Sequence, residues 1–336
     1  MNLNKTGVLG RKKISDQVQA IFLGVILIFS SQQAFSWGAT GHEIVAGVGA
    51  ALATQGNEFW GQNQATIEQL STVPDRVWKS TNYKQEAPHH WFQGDAYASN
   101  LGLGTLAQFP RVYQEAIGQM GEQTIVKNGT APWRIQQLYG MALDAMKKGD
   151  GASAMAYVGI MSHYVGDLSQ PLHVSENYDG AQSGQKGIHK YFETDNIQDK
   201  EAIQQEVQTQ AQALLNNPNF LNLASSNPME LSFAEIERAL MHRDEVLQND
   251  AQLGRSGEGS QAQLQLAIAR MADGAATYAI ILNHLWQDSG GSINSTQVTV
   301  SDPSYIDEDF SGGSFRAQAQ RMTPIEVDSF EDDCSQ

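Results

Sequence analysis

HYVGDLSQPLH, residues 163–173, followed after a polar loop by HKYFE, residues 189–193, is the stretch on which the reading of this chain turns. In an α-helix, positions four apart lie one above the other on the same face. His163 with Asp167, and His189 with Glu193, can therefore each aim two side chains at one point. Imidazole nitrogen and carboxylate oxygen are good zinc ligands, and three protein ligands with one open position mark a catalytic site rather than a structural one. The chain has eight histidines: three fall in this segment (His163, His173, His189) and three more (His42, His89, His90) lie earlier. The plainer alternative is an amphipathic helix with incidental polar residues. Met155, Val158, Ile160 and Met161 make the surroundings of His163 apolar. Burying His163 and Asp167 there is costly unless they are paired or bound to metal. Pro171 ends the helix and sets the direction of His173.

Working outward, apolar spacing predicts helices over 44–53, 107–120, 131–148, 152–167, 202–215, 232–247 and 261–286, and strand signals are scarce. The expected fold is all-α: one multi-helix domain over 37–288. Gly149-Asp150-Gly151 reads as a break before the ligand-bearing helix, and 179–187 (DGAQSGQKG) as a polar loop. From 289 to 336 the composition turns to Ser, Gly and Asp without helical period. It is expected to be a mobile acidic tail with at most a short β-like piece at 297–300.

The first 36 residues have the form of a secretory signal. Arg11, Lys12 and Lys13 precede the ten apolar residues 20–29 (AIFLGVILIF), too short a run for a membrane span. Ala34 and Ser36 are the small residues that cleavage before Trp37 requires. An uncleaved anchor is the alternative. After cleavage the chain is expected to be secreted or periplasmic, with no transmembrane segment and no implied stable protein partner. The formal charge is −16, and losing the leader's four basic residues and one acidic residue would make it −19. Such a charge argues against nonspecific nucleic-acid binding through a basic groove. It leaves room for a nuclease, because bound metal ions supply local positive charge. Cys334 is the one cysteine, so no intramolecular disulfide can form.

Three further segments offer ligands. WGATGH, residues 37–42, would become the new amino terminus. A free α-amino group chelates a metal together with its own carbonyl oxygen, so processing and site completion would be linked. Asp75 follows Pro74, and His89 and His90 precede Trp91-Phe92. Each is weak alone: an Asp after Pro is usually a turn residue, and a lone His is usually a surface or core residue.

Taken together, these motifs resemble the superfamily of S1/P1-type nucleases and bacterial zinc-dependent phospholipases C, over Trp37 through about Glu193. WGATGHEIVA is similar to the nuclease amino terminus. HYVGDLSQPLH is similar to a motif of both branches, as is GIHKYFET at 187–194. The resemblance implies a nearly all-helical fold around three zinc ions. Asp75, His90, His163 and Asp167 would hold the first. Trp37 (amine and carbonyl), His42 and Asp167 would hold another, with Asp167 bridging. His173, His189 and Glu193 would hold the third. His90 is preferred to His89 because the family's ligand precedes an aromatic pair.

The implied chemistry is phosphodiester hydrolysis with Asp75 and Asp167 as catalytic carboxylates, zinc lowering the pKa of water to about 7 so that no serine or cysteine nucleophile is needed. The amino-terminal motif favours a nuclease that cleaves single-stranded DNA or RNA to 5′-phosphorylated products. Several departures favour a phospholipase C acting on phosphatidylcholine-type lipids. Glu193 stands where nucleases usually have Asp, the loop before His189 is short and lacks Gly-Gly-Asn, and Trp78 stands where an Arg is common. Trp91-Phe92 could stack on a base, line an apolar pocket or simply pack in the core, and Asp95 could face a base edge. A third reading is an exported, non-catalytic zinc-binding protein. Open three-ligand sites argue against it, since structural zinc sites are usually closed.

Overall fold

Around the 163–173 segment the chain folds back on itself as a stack of helices. The computed structural model describes residues 37–222, 227–291, 293 and 297–310. The expected leader at 1–36 lies outside the described residues. Among the described residues there is no strand, and the fold is all-α. The helices of six or more residues are α1 (Gly38–Leu52), α2 (Asn57–Gln62), α3 (Gln64–Ser71), α4 (Gly94–Leu101), α5 (Tyr113–Met120), α6 (Glu122–Asn128), α7 (Ala131–Lys147), α8 (Gly151–Ser169), α9 (Lys200–Leu215), α10 (Pro228–Leu240), α11 (Arg243–Leu253) and α12 (Glu258–Ser289).

α8 is the axis. Asp150 caps its first turn by accepting from the Ser153 backbone N–H at 3.1 Å. It stops at Ser169 because Gln170 precedes Pro171 and takes an extended conformation. Between them nearly every residue is apolar or small and buried. A helix buried on all sides needs partners on all sides, and α8 packs against α1, α3, α7, α10 and α12. Gly159 permits a close approach of α3. A Cβ there would lie 2.4 Å from Leu70 Cβ, so only glycine lets α3 come this near, and that approach delivers the Ser71 carbonyl to His163. α1 packs against α3, α8, α9 and the 32-residue α12.

Three sequence expectations need correction. The helix expected over 107–120 starts at Tyr113, since Pro110 holds Phe109 extended and has no backbone N–H to give. The helix expected over 232–247 is two, broken at Met241-His242. α10 buries Leu231, Phe233, Ile236 and Ala239, whereas α11 buries only Val246, so each follows its own contacts. The expected mobile tail from 289 on is also wrong in part. α12 runs to Ser289, and residues 297–310 lie against the body as a strap with no β-piece at 297–300. Asn63 accepts from the Val298 backbone N–H at 2.7 Å, Arg76 holds Asp302 through both carboxylate oxygens at 2.8 and 2.9 Å, and Trp78 donates to the Pro303 carbonyl at 3.0 Å. Composition alone misread this segment because its anchors lie more than 200 residues away. Residues 311–336 lie outside the described residues.

Candidate metal centre

His163 and Asp167 share one face of α8 and are fully buried. α1 brings His42 to them. Its ring stacks on His163 with centroids 3.7 Å apart and planes 20° apart, and its Nε2 lies 3.5 Å from Asp167 Oδ1. The π-helical turn Pro74–Trp78 brings Asp75, and the 3-10 turn Ala87–His90 brings His90. His90 Nδ1 lies 3.2 Å from Asp167 Oδ2 and 3.6 Å from Asp75 Oδ1. His163 Nε2 lies 3.4 Å from Asp167 Oδ2 and 3.9 Å from Asp75 Oδ1. A second π-helical turn, Tyr191–Asp195, carries Glu193, with His189 in the turn before it. Glu193 Oε2 is 2.8 Å from His189 Nε2 and 3.5 Å from His173 Nε2.

The ligand atoms converge in three groups, each within 4.8 Å: His42, His163 and Asp167; Asp75, His90 and His163; His173, His189 and Glu193. All eight side chains proposed from the sequence are thus buried in groups that can hold metal, and Asp167 lies between His42 and the His90–His163 pair. His89 is elsewhere. Its Nδ1 meets Thr130 Oγ1 at 2.7 Å and its Nε2 lies 3.9 Å from Glu308.

The far nitrogens of four of the five rings are fixed. His163 Nδ1 donates to the Ser71 carbonyl at 2.7 Å, His173 Nδ1 to the His90 carbonyl at 2.5 Å, and His189 Nδ1 to the Tyr178 carbonyl at 3.0 Å. His90 Nε2 faces Glu86 Oε1 at 3.1 Å. Metal-binding histidines characteristically give their second N–H to a carbonyl or carboxylate, which leaves the first nitrogen a bare acceptor. Here it aims acceptors at one another, with His163 Nε2 2.9 Å from His90 Nδ1 and His173 Nε2 2.9 Å from His189 Nε2.

The same pattern appears in the unsatisfied atoms. Both ring nitrogens of His42, both carboxylate oxygens of Asp167, Asp75 Oδ2 and Glu193 Oε1 are buried without a hydrogen-bond partner. Each such atom costs about 1–3 kcal/mol when left unpaired. Their concentration at one place is what a cation between them would resolve, and three nitrogen and oxygen donors per group suit zinc. Burial first, then the His163 imidazole for His42 and the Lys79 ammonium for His90, hold both rings well below the usual histidine range, so both are neutral and available as ligands. Burial does the same to His163. Burial, reinforced by the Asp75 charge, pushes Asp167 well above the usual carboxylate range. Burial also pushes Glu193 upward, but His189 and His173 outweigh it and bring its carboxyl down to about 2.

Trp37 stands at the start of α1 with φ 45°, the left-handed region, which no other non-glycine described residue adopts. Its ring fixes it there. The indole N–H donates to the Gly166 carbonyl at 2.7 Å, and the ring packs on Phe192. Its own carbonyl accepts the first helical bond, from Gly41 at 3.0 Å. The residue is thus held against α8 one position before Asp167.

Other sequence candidates have structural roles. Phe92 is fully buried among Tyr97, Phe109, Trp133 and Phe233, which is core packing. Trp91 donates its indole N–H to the Lys127 carbonyl. Asp95 accepts from Ser175, the Glu176 backbone and Arg243, so it fastens a loop and a helix instead of facing a base. Sequence reasoning missed Glu86, although its spacing of four from His90 repeats the spacing of the other ligand pairs. The Lys79 ammonium lies 3.2 Å from Asp75 Oδ1. His42 and Asp75 open onto a cavity of about 530 Å³, also lined by Glu43, Glu68, Arg76, Lys200 and Asp302.

An all-helical body thus surrounds buried, mixed histidine–carboxylate groups that could hold metal. A family model described as S1/P1 Nuclease matches residues 37–287, and the chain belongs to that family. A protein of Bradyrhizobium tropiciagri described as a probable serine protease is 23% identical over 248 residues, covering 49% of this chain and 32% of that one. The chain thus spans about a third of that relative's length. Among solved structures it is similar to the alpha-toxin of Clostridium perfringens from an avian strain, with TM-score 0.47, 18% identity, and 77% of this chain and 66% of that chain covered. It is likewise similar to the alpha toxin of Clostridium absonum, with TM-score 0.47, 15% identity and coverage of 74% and 65%. Among the described residues no helix is long and apolar enough to cross a membrane.

Proposed function

We propose that this chain is a zinc-dependent phosphodiesterase of the nuclease type, exported after cleavage before Trp37, that cuts single-stranded DNA or RNA to 5′-phosphorylated products. The observation that carries the metal centre is the set of buried, unpartnered ligand atoms on His42, Asp75, Asp167 and Glu193. Membership of the S1/P1 nuclease family supports the reaction class. Asp75, His90, His163 and Asp167 would hold one zinc ion. His42, Asp167 and the Trp37 amine and carbonyl would hold a second, and His173, His189 and Glu193 a third. Bound there, zinc supplies Lewis acidity that lowers the pKa of water to about 7 and stabilises charge on phosphate oxygen.

The chain's own residues do the rest. Asp167 lies between His42, 3.5 Å from its Oδ1, and His90, 3.2 Å from its Oδ2, and would be the carboxylate shared by the first two ions. Lys79 holds the Asp75 carboxylate in place at 3.2 Å. The second hydrogen bonds of His163, His173 and His189 to main-chain carbonyls keep the tautomers that point bare nitrogen inward. In the net reaction a water oxygen bonds to phosphorus, the bond from phosphorus to the leaving alkoxide oxygen breaks, and the alcohol departs with a proton.

One observation favours the second reading, a phospholipase C. The cavity at His42 and Asp75 is lined by four carboxylates against one guanidinium and one ammonium, and among the described residues no Phe, Tyr or Trp lines it to stack a base. A polyanion gains less there than a phosphodiester bearing a cationic headgroup. The test is turnover by the zinc-loaded protein beginning at Trp37, on single-stranded DNA, RNA and phosphatidylcholine micelles, with and without chelator. Chelator-sensitive release of 5′-nucleotides is the expected result. Phosphocholine release with nucleic acid untouched would replace it by the second reading, and retained zinc without any hydrolysis would leave a zinc-binding protein.

A further inference from the structure

The strap at 297–310 lies beyond the stretch that the family model matches, which ends at residue 287. It is nevertheless tied to the metal centre through buried polar groups. Glu86 is fully buried, and its Oε1 accepts from Tyr164 Oη at 2.6 Å and faces His90 Nε2 at 3.1 Å. Its other oxygen has no hydrogen-bond partner and lies 3.7 Å from Arg134 Nη2. Arg134 is fully buried too, and that same Nη2 donates to the Ile306 carbonyl at 2.7 Å. Its Nη1 donates to Gln137 Oε1 at 2.8 Å, and Gln137 in turn donates to the Asp307 carbonyl at 2.8 Å. The strap is seated by rings, with Tyr305 edge-on to Trp78 at 5.3 Å and Phe310 against Tyr113 at 4.9 Å.

We propose that this strap positions a metal ligand: by occupying Arg134 it leaves Glu86 free to orient His90, and so completes the Asp75–His90–His163 group. The physical reason is competition for one guanidinium. Arginine and carboxylate in a dry site close into a paired fork unless either is engaged elsewhere. With Ile306 accepting from Nη2, the Arg134–Glu86 approach stops at 3.7 Å, and Glu86 Oε1 is left to His90 and Tyr164. With the strap displaced, Arg134 loses a buried acceptor and turns onto Glu86, drawing the carboxylate from His90. His90 then loses the partner that fixes its tautomer and aims Nδ1 inward. Glu86 and Arg134 are positioning residues. The inference rests on the proposed metal centre.

The experiment uses the full-length processed chain loaded with zinc. Zinc retained per chain is measured against a graded series of zinc-buffering chelators, and the cobalt(II) absorption spectrum is recorded for the same proteins. Two variants are compared with wild type: Glu86→Gln, and the pair Tyr305→Ala with Phe310→Ala, which loosens the strap without touching a ligand. Each should weaken one of the three ions about 10- to 100-fold, the range typical for loss of such supporting contacts. The other two ions should be held as in wild type, and the cobalt band of the affected site should shift. Three ions held with wild-type affinity in both variants would overturn the proposal. So would parallel weakening of all three, which is general destabilisation. If Glu86→Gln fails to fold, the strap pair decides alone. A wild-type chain that binds no zinc would instead sink the metal-centre reading underneath, which is a different result from three ions held normally by every variant.

Discussion

Replacing Gly166 by alanine tests the packing of the centre at one atom. Gly166 is one residue before Asp167 in α8, and a Cβ built on it would lie 3.1 Å from His42 Nδ1, 3.5 Å from His42 Cε1 and 3.7 Å from Trp37 Cδ1. In an exposed helix the change would gain about 0.5–1 kcal/mol of helix propensity. Here His42 has to retreat by a few tenths of an ångström. Its ring face is stacked on His163 at 3.7 Å, and its Nε2 edge points at Asp167 Oδ1 at 3.5 Å, so retreat disturbs both. Overpacking a core typically costs about 1–3 kcal/mol, so the net expectation is a loss of about 0–2.5 kcal/mol of stability. The metal effect should exceed this. A displaced His42 should weaken the ion it helps to hold by about 10- to 100-fold, or roughly 1.4–2.7 kcal/mol. Thermal melting in chelator gives the first quantity, and zinc retention in buffered zinc gives the second. A variant that melts higher than wild type and keeps every ion at wild-type affinity would refute the crowding argument and place His42 outside the ligand set.

Asp167→Asn keeps the shape of the residue and removes the charge shared by two groups; activity should vanish and zinc content should fall by more than one ion, as metal analysis of the folded variant would show. One residue left before Trp37 should weaken only the ion served by its amine, and equal zinc occupancy with and without that residue would remove Trp37 as a ligand. Phe92→Ala should cost about 3–5 kcal/mol in urea unfolding, because the ring is buried among four other aromatics, while KM for oligonucleotides stays unchanged in the surviving folded protein. A raised KM without lost stability would instead mean that Phe92 stacks on a base. Chelation should lower the melting temperature, since each ion held at 100 times its Kd adds about 2.7 kcal/mol to the folded state. No shift on chelation would mean that the buried groups hold no metal.

The helical class and the heart of the centre were legible in the sequence because both depend on local spacing. The pairs His163–Asp167 and His189–Glu193 are set by one turn of helix, and the turn ended by Pro171 needs no distant partner. The capping of α8 by Asp150 was foreshadowed by the Gly-Asp-Gly break. Asp75 and His90 were legible only through resemblance, since a Pro-Asp pair or a His-His pair carries no signal of its own. Their place in the centre depends on short π and 3-10 turns that apolar periodicity does not mark.

The sequence by itself determined an all-helical chain with a helix of candidate metal ligands at its middle, because helix periodicity puts fixed intervals on one face. Only the tertiary structure decided which histidine of the 89–90 pair turns inward, that Phe92 and Asp95 serve packing and loop fastening, and that 297–310 is a strap. These outcomes are set by partners far along the chain: Glu86, Arg134 and Tyr164 around His90, and Asn63, Arg76 and Trp78 along the strap. Such pairings follow from the close packing of α3, α7 and α8 around one buried site, where each polar atom must find a partner across the fold.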